Sequence, residues 1–361
     1  MTQFGTIKHA FPGSNTPNGF HSFFNYILPQ KEANQLYIIK GGPGTGKSSF
    51  MKRIGTYATE QGLDVEFLHC SSDPGSLDAM IIPSLKIAFL DGTAPHVVDP
   101  ASPGVTDQIL NFGTFWDADK LTPYKDNIIA VSNRIHDGFS KAYYYLAAAK
   151  SIYDAYIFTE RKAINPTAKL KIEKDIIHQV FKDVKDKEAI GNVRHLFSTA
   201  ITGEGVLDYI HTLIGTTKNI YFIKESFGCN SKKVMQSICD TATAKGYAIE
   251  CYHSPMDPDK IEDILIPELD IAITISHPLH KPRIFPTLIF DLTAALDSAM
   301  LKSLDFELDK DKRLFMDLID KACNMIGANK KLHDELESYY INAIDFTAID
   351  NLYDTLIQKF F

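Results

Sequence analysis

The chain repeats itself once, over a very long period. LYIIKGGPGTGKSSFM (36–51) lines up with IYFIKESFGCNSKKVM (220–235), a step of 184 residues from Lys40 to Lys224. The same step carries GLDVEFLHCSSDP (62–74) onto GYAIECYHSPMDP (246–258), and IIPSLKIAFLDGTAPH (81–96) onto LIPELDIAITISHPLH (265–280). Gly62, Glu66, His69, Asp73 and Pro74 thereby meet Gly246, Glu250, His253, Asp257 and Pro258. Near the start of each copy, IKHAFPGSNTPNGF (7–20) matches VRHLFSTAITGEGV (193–206). Solenoid repeats run to roughly 20–50 residues. The pattern therefore predicts two whole domains in tandem, 1–190 and 191–361, as a chain of 361 residues allows.

Within a copy, short apolar runs alternate with helical stretches. QLYIIK, DVEFLHC and LKIAFLD read as strands. A helix beginning near Gly46 and stopping at Gly62 separates the first two. Buried, β-rich runs separated by helices predict an α/β fold, a parallel sheet flanked by helices. A helical appendage follows. Thr122-Pro123 is a helix-start signal. Ile135, Phe139, Ala142, Leu146, Ala149, Tyr153 and Tyr156 then recur at spacings of four and three, an apolar seam expected to pack on a partner helix of the same copy. Phe315, Leu318, Ile319, Ala322, Met325 and Ile326 make the comparable face in the second copy. The basic stretch RKAINPTAKLKIEK (161–174) reads as a solvated linker.

Between the first strand and its helix lies Gly41-Gly42-Pro43-Gly44-Thr45-Gly46-Lys47-Ser48, followed by Ser49. Glycines let successive backbone N–H groups turn inward around a polyphosphate. The helix N-terminus adds partial positive charge. Lys47 is placed to reach the outer phosphates, and the Ser48 hydroxyl to ligate Mg²⁺. These residues resemble the P-loop NTPase superfamily. The resemblance implies a nucleoside triphosphate, ATP or GTP, with Mg²⁺. IAFLDG (87–92) resembles the superfamily's second motif, in which Asp91 would hold the metal through water; Gly92 stands where many ATPases carry a catalytic glutamate. Asp73 follows the second strand, where small-molecule kinases of the superfamily place an acidic residue that orients or deprotonates the acceptor. The competing reading of Asp73-Pro74 is a turn, and Asp257-Pro258 favours it.

The second copy lacks this apparatus. Gly41, Gly46, Lys47 and Ser48 correspond to Glu225, Asn230, Ser231 and Lys232; Gly228 alone persists opposite Gly44, and Asp91 becomes Ile275. Glu225 would set a negative charge beside the phosphate position, which Lys232 or Lys233 could only partly offset. The second loop is thus expected to be degenerate. TPNGFHSFF, KGGPGTGKSSFMKRI, LHCSSDP and DGTAPHVVDP resemble, over nearly the whole chain, a group of tandem P-loop ATP-binding proteins of Gram-positive bacteria.

A net charge of −8 argues against nucleic acid or an anionic membrane as the main partner. No apolar run approaches the ~20 residues that span a bilayer. The N-terminus has no signal-peptide pattern. Five cysteines without a CxxC pair fit free thiols, and a cytoplasmic location is expected. His69, Cys70 and His96 lack tight metal-ligand spacing and read as structural. Two functions stay open. One is an ATPase or a phosphotransferase acting on a small-molecule acceptor, with Lys47 and Asp73 catalytic. In that version Arg134 and Arg161 form no close pair, and Arg283 of HKPRIFP is the candidate arginine finger. The other is a nucleotide-controlled interaction protein with little turnover.

Overall fold

A computed structural model describes residues 4–94 and 96–361; Pro95, within DGTAPHVVDP, lies outside them. The first half contains β1 (Ile7–Ala10), a hairpin of β2 (Gly13–Thr16) and β3 (Gly19–Ser22), β4 (Gln35–Lys40), α1 (Lys47–Glu60), β5 (Val65–His69), β6 (Leu77–Ile82), β7 (Ile87–Asp91) and β8 (Asp107–Asn111). Then come α2 (Ala118–Leu121), α3 (Lys125–Glu160) and α4 (Pro166–Phe181). The second half contains β9 (Val193–Leu196), the hairpin β10 (Thr199–Thr202) and β11 (Gly205–Asp208), α5 (Ile210–Ile214), β12 (Asn219–Lys224), α6 (Lys232–Ala244), β13 (Ile249–Ser254), β14 (Asp257–Ile266), β15 (Ile271–Ser276), β16 (Leu288–Asp291), α7 (Ser298–Ile341) and α8 (Phe346–Phe360).

Two six-stranded sheets result, in the orders β1-β5-β6-β7-β4-β8 and β9-β13-β14-β15-β12-β16. Each is mixed, not wholly parallel. β6 and β14 run antiparallel to both neighbours. The reason is connection length: a parallel neighbour needs a crossover of about a dozen residues or more, whereas Cys70–Ser76 is a tight loop closed by Ser76 N–H donating to Asp73 O at 2.8 Å. The turn from β6 to β7 passes through Pro83–Leu85 and Lys86, whose φ of 54° is matched by Asp270 at 52°.

β4 is buried on both faces. Tyr37 and Ile39 face Phe50, Ile54 and Ala58 of α1; Leu36 and Ile38 face inward. The inward faces of the two sheets share one core, in which Ile38, Ile81 and Leu90 join Ile220, Tyr252 and Leu265, with Phe24, Ile27, Leu213 and Ile214. Phe11 and Phe197 exchange backbone hydrogen bonds, 2.9 Å each, where the halves meet.

The helices cross between halves. Ala142, Leu146, Ala149 and Tyr153 of α3 are buried against Phe315, Ile319, Ala322 and Ile326 of α7, so the seam's partner belongs to the other copy. Gly138 permits the closest approach: a Cβ there would lie 2.0 Å from Asn329 Oδ1. α8, from the end of the chain, seats Ile349 and Leu356 on the first sheet. Reciprocally, α4 seats Ile176 and Val180 on the second. Asp117 N–H donates to Ala343 O (2.7 Å) and Asp297 N–H to Ala163 O (2.8 Å), fixing the exchange. The 161–174 stretch is therefore not a linker. After a turn at Arg161–Ala163 it enters α4, capped by Asn165 Oδ1, which accepts from the N–H groups of Thr167 and Ala168, with Pro166 at the first position. Thr122-Pro123 does not start α3 either. The chain is already helical at Ala118, and the Thr122 hydroxyl donates to Ala118 O. No helix among the described residues is long and apolar enough to cross a membrane.

Candidate phosphate-binding site

The Gly41–Gly46 loop leaves the carboxyl end of β4 and delivers the chain to α1, whose first residue is Lys47. Gly44 and Gly46 adopt φ of 68° and 80°, which a side chain would oppose. The Lys47 ammonium donates to Gly41 O (2.8 Å) and Gly42 O (2.9 Å) and lies 3.4 Å from Asp91 Oδ2 at the end of β7. The other Asp91 oxygen accepts from the Thr93 N–H at 2.9 Å and from the Thr93 hydroxyl. Ser48 Oγ accepts from the Leu77 N–H at 3.0 Å. Thr45 braces the loop by donating to Gly42 O at 2.9 Å. Pro43 is half-buried and Ser49 exposed. Lys47, Ser48 and Asp91 thus converge at one end of the first sheet.

The far end of α7 covers this loop. Gly44 N–H donates to Glu337 Oε1 at 3.3 Å. Added Cβ atoms at Gly42 and Gly44 would lie 3.0 Å from Trp116 and 2.9 Å from Glu337 O, with Tyr340 and Ile341 close by. Asp73 accepts from the Ser76 hydroxyl at 2.8 Å and lies 3.4 Å from Lys330, also of α7. The aspartate therefore sits in a hydrogen-bonded Asp-Pro turn, tied across to the second half.

The corresponding loop of the second half contains its own anion. Glu225 Oε2 accepts from the Ser231 N–H at 2.7 Å, and Glu225 Oε1 meets the Lys260 ammonium at 2.5 Å. Both side chains are essentially inaccessible to solvent. Burial disfavours the charged lysine, but the Glu225 carboxylate outweighs it and holds the Lys260 pKa above its ordinary value. A second carboxylate, Glu160 at the end of α3, accepts from the Gly228 N–H at 2.5 Å. Lys232 does not compensate; it pairs with Asp257 at 3.0 Å.

The histidines are structural partners. His69 Nε2 lies 2.8 Å from His9 Nδ1, and its Nδ1 lies 2.8 Å from Pro74 O. His195 and His253 form the matching 2.8 Å pair. Burial pulls the His69 pKa down to about 4 and that of His253 to about 3. His96 lies 3.4 Å from Asp78, which raises its pKa against the effect of burial. Burial, reinforced by Asp78, pushes the Cys70 thiol well up. No three His, Cys, Asp or Glu side chains among the described residues group as a metal site. Arg283 lines a cleft that includes no residue of the Gly41–Ser48 loop. Arg134 lies 3.7 Å from Glu335, and the Arg161 guanidinium stacks on Phe158.

Sequence reasoning did not find Glu337, Lys260 or Glu160. The spacing of each residue from its glycine loop carries no motif. Each is brought there by a helix crossing between halves or by the antiparallel strand. No protein-family model, no curated protein and no solved structure matches the chain.

Proposed function

We propose that this is a P-loop protein of two tandem, P-loop-like units that takes one Mg²⁺-nucleoside triphosphate, ATP or GTP, in its first half. One observation carries the reading. Lys47 and Asp91 meet at 3.4 Å beside a glycine loop whose Gly44 N–H donates to a part-exposed carboxylate, Glu337. Its counterpart is filled by the buried Glu225–Lys260 pair.

The residues fit the metal and the nucleotide. Ser48 Oγ keeps its hydroxyl hydrogen and a lone pair beyond the Leu77 contact. Asp91 Oδ2 lies 3.4 Å from the Lys47 ammonium. The magnesium ion, when bound, would neutralise phosphate charge. Lys47, which donates to two carbonyls beside Asp91, would exchange those carbonyls for phosphate oxygens. The backbone N–H of Gly44 and the α1 N-terminus orient the anion.

We propose ATP hydrolysis or phosphoryl transfer to a small molecule as the reaction, with Asp73 the candidate base. The second reading, a nucleotide-controlled interaction protein, is favoured by Glu337 on the loop, by Gly92 and by the Asp73–Lys330 contact, all of which point to slow turnover. Phosphate release measured with and without candidate acceptors separates them. Turnover that disappears in Lys47→Ala and Asp73→Ala supports the enzyme, and tight nucleotide binding without turnover supports the switch.

A further inference from the structure

A cleft of about 490 Å³ opens in the second half between the β10–β11 hairpin, the 278–283 loop and the middle of α7. That volume lies in the range of small-molecule sites, roughly 300–1,000 Å³. Its wall is apolar where Val206, Leu279, Ile319 and Cys323 meet. Its rim carries Lys281 and Arg283, both exposed and without an ion-pair partner among the described residues. Two carboxylates also line it. Asp208 lies 3.1 Å from the buried His280, which it shares with Asp263 at 2.9 Å. Asp320, on α7, is the other, so it is the place of Lys281 and Arg283 on the exposed loop, and not a net charge, that offers them to an anion.

The loop bearing the two cations is built rather than slack. His277 and His280 exchange backbone hydrogen bonds at 2.9 and 3.0 Å. Pro278, Pro282 and Pro286 fix φ at three positions. A pre-set loop loses less conformational entropy when it closes on a ligand.

We propose that this cleft binds a small organic anion with an apolar body, its carboxylate or similar group held by Lys281 and Arg283 and its body lying against Val206, Leu279 and Ile319. Guanidinium and ammonium donors suit such a headgroup. The site is separate from the phosphate loop and does not depend on the nucleotide reading.

Calorimetric titration of the full chain tests this, with decanoate and 2-naphthoate as probes for a chain-like and a ring-like body and decanol as the uncharged control. At least one anion is expected to bind saturably at one per chain, at least about tenfold more tightly than decanol. The Lys281→Ala/Arg283→Ala chain, altered only on an exposed loop, should lose about tenfold or more. Val206→Trp, on the hairpin, should block the cleft, with thermal unfolding reporting whether that chain stays folded. The Lys47→Ala chain should bind the anion unchanged, so failure of nucleotide binding leaves this result standing. Absence of saturable binding by both anions overturns the proposal. So does decanol binding as tightly as decanoate, or wild-type affinity in the double variant.

Discussion

Gly41 and Glu225 stand at the same step of two matching turns, one of several differences that include Gly46/Asn230, Lys47/Ser231 and Ser48/Lys232. In the second loop Glu225 accepts from the Ser231 N–H and is fully buried, whereas in the first the Gly44 N–H donates to the part-exposed Glu337. Breaking a buried ion pair strands the surviving charge, at a cost of about 3–5 kcal/mol. Lys260→Ala should therefore lower unfolding stability by that order in urea titrations, and Glu225→Gln/Lys260→Met should recover most of it. Glu337, part-exposed on the first loop, is weaker. Glu337→Ala should strengthen nucleotide binding about two- to fivefold, the effect of removing a part-exposed charge from the phosphate position. The histidine pairs set a pH dependence. His69 and His253 are neutral in the fold, with pKa values of about 4 and about 3, against 6.5 in the unfolded chain. The unfolded state therefore binds more protons as pH falls from about 6.5, and stability should decline down to about pH 4 through His69 and to about pH 3 through His253. Denaturant titrations across that window should flatten in His69→Asn/His253→Asn. The glycine loop, Lys47 at its end and Glu225 in the second loop were all legible in the sequence, because each is a local pattern with a local cause. Lys260 was not, because its partner lies across a strand that the apolar runs did not reveal.

At the scale of elements, the seams of α3 and α7 were visible as periodicity, and both are buried as their spacing requires. Periodicity says that a face is covered, not by what. The long helices run about 54 and 66 Å at 1.5 Å per residue, long enough for each to reach the other half's loop. α8 was hidden for the same reason: nothing local in FTAIDNLYDTLIQKF says which sheet it covers. Leu356 is 5% exposed against the first sheet. Leu356→Ala should cost about 2–5 kcal/mol by urea denaturation, despite lying more than 300 residues from β4. A loss below about 1 kcal/mol would contradict that seating.

For the molecule as a whole, the boundary at 190/191 falls in the connection between α4 and β9, yet the apolar contacts do not respect it. The first sheet is completed by α8 and the second by α4, while the inward faces share one core. Residues 1–190 expressed alone should therefore expose the Tyr37–Phe89 face and aggregate. Co-expressed with 191–361, the fragment should be recovered as a soluble one-to-one complex by size exclusion.

The count of triphosphates per chain tests the central claim most directly, since it asks both loops at once. Titrating the full chain with ATP and Mg²⁺, and separately with GTP, should give one bound nucleotide, abolished by Lys47→Ala with unfolding behaviour little changed. Two bound nucleotides, or none with either triphosphate, would contradict the proposal of one nucleotide-binding loop and one self-filled one.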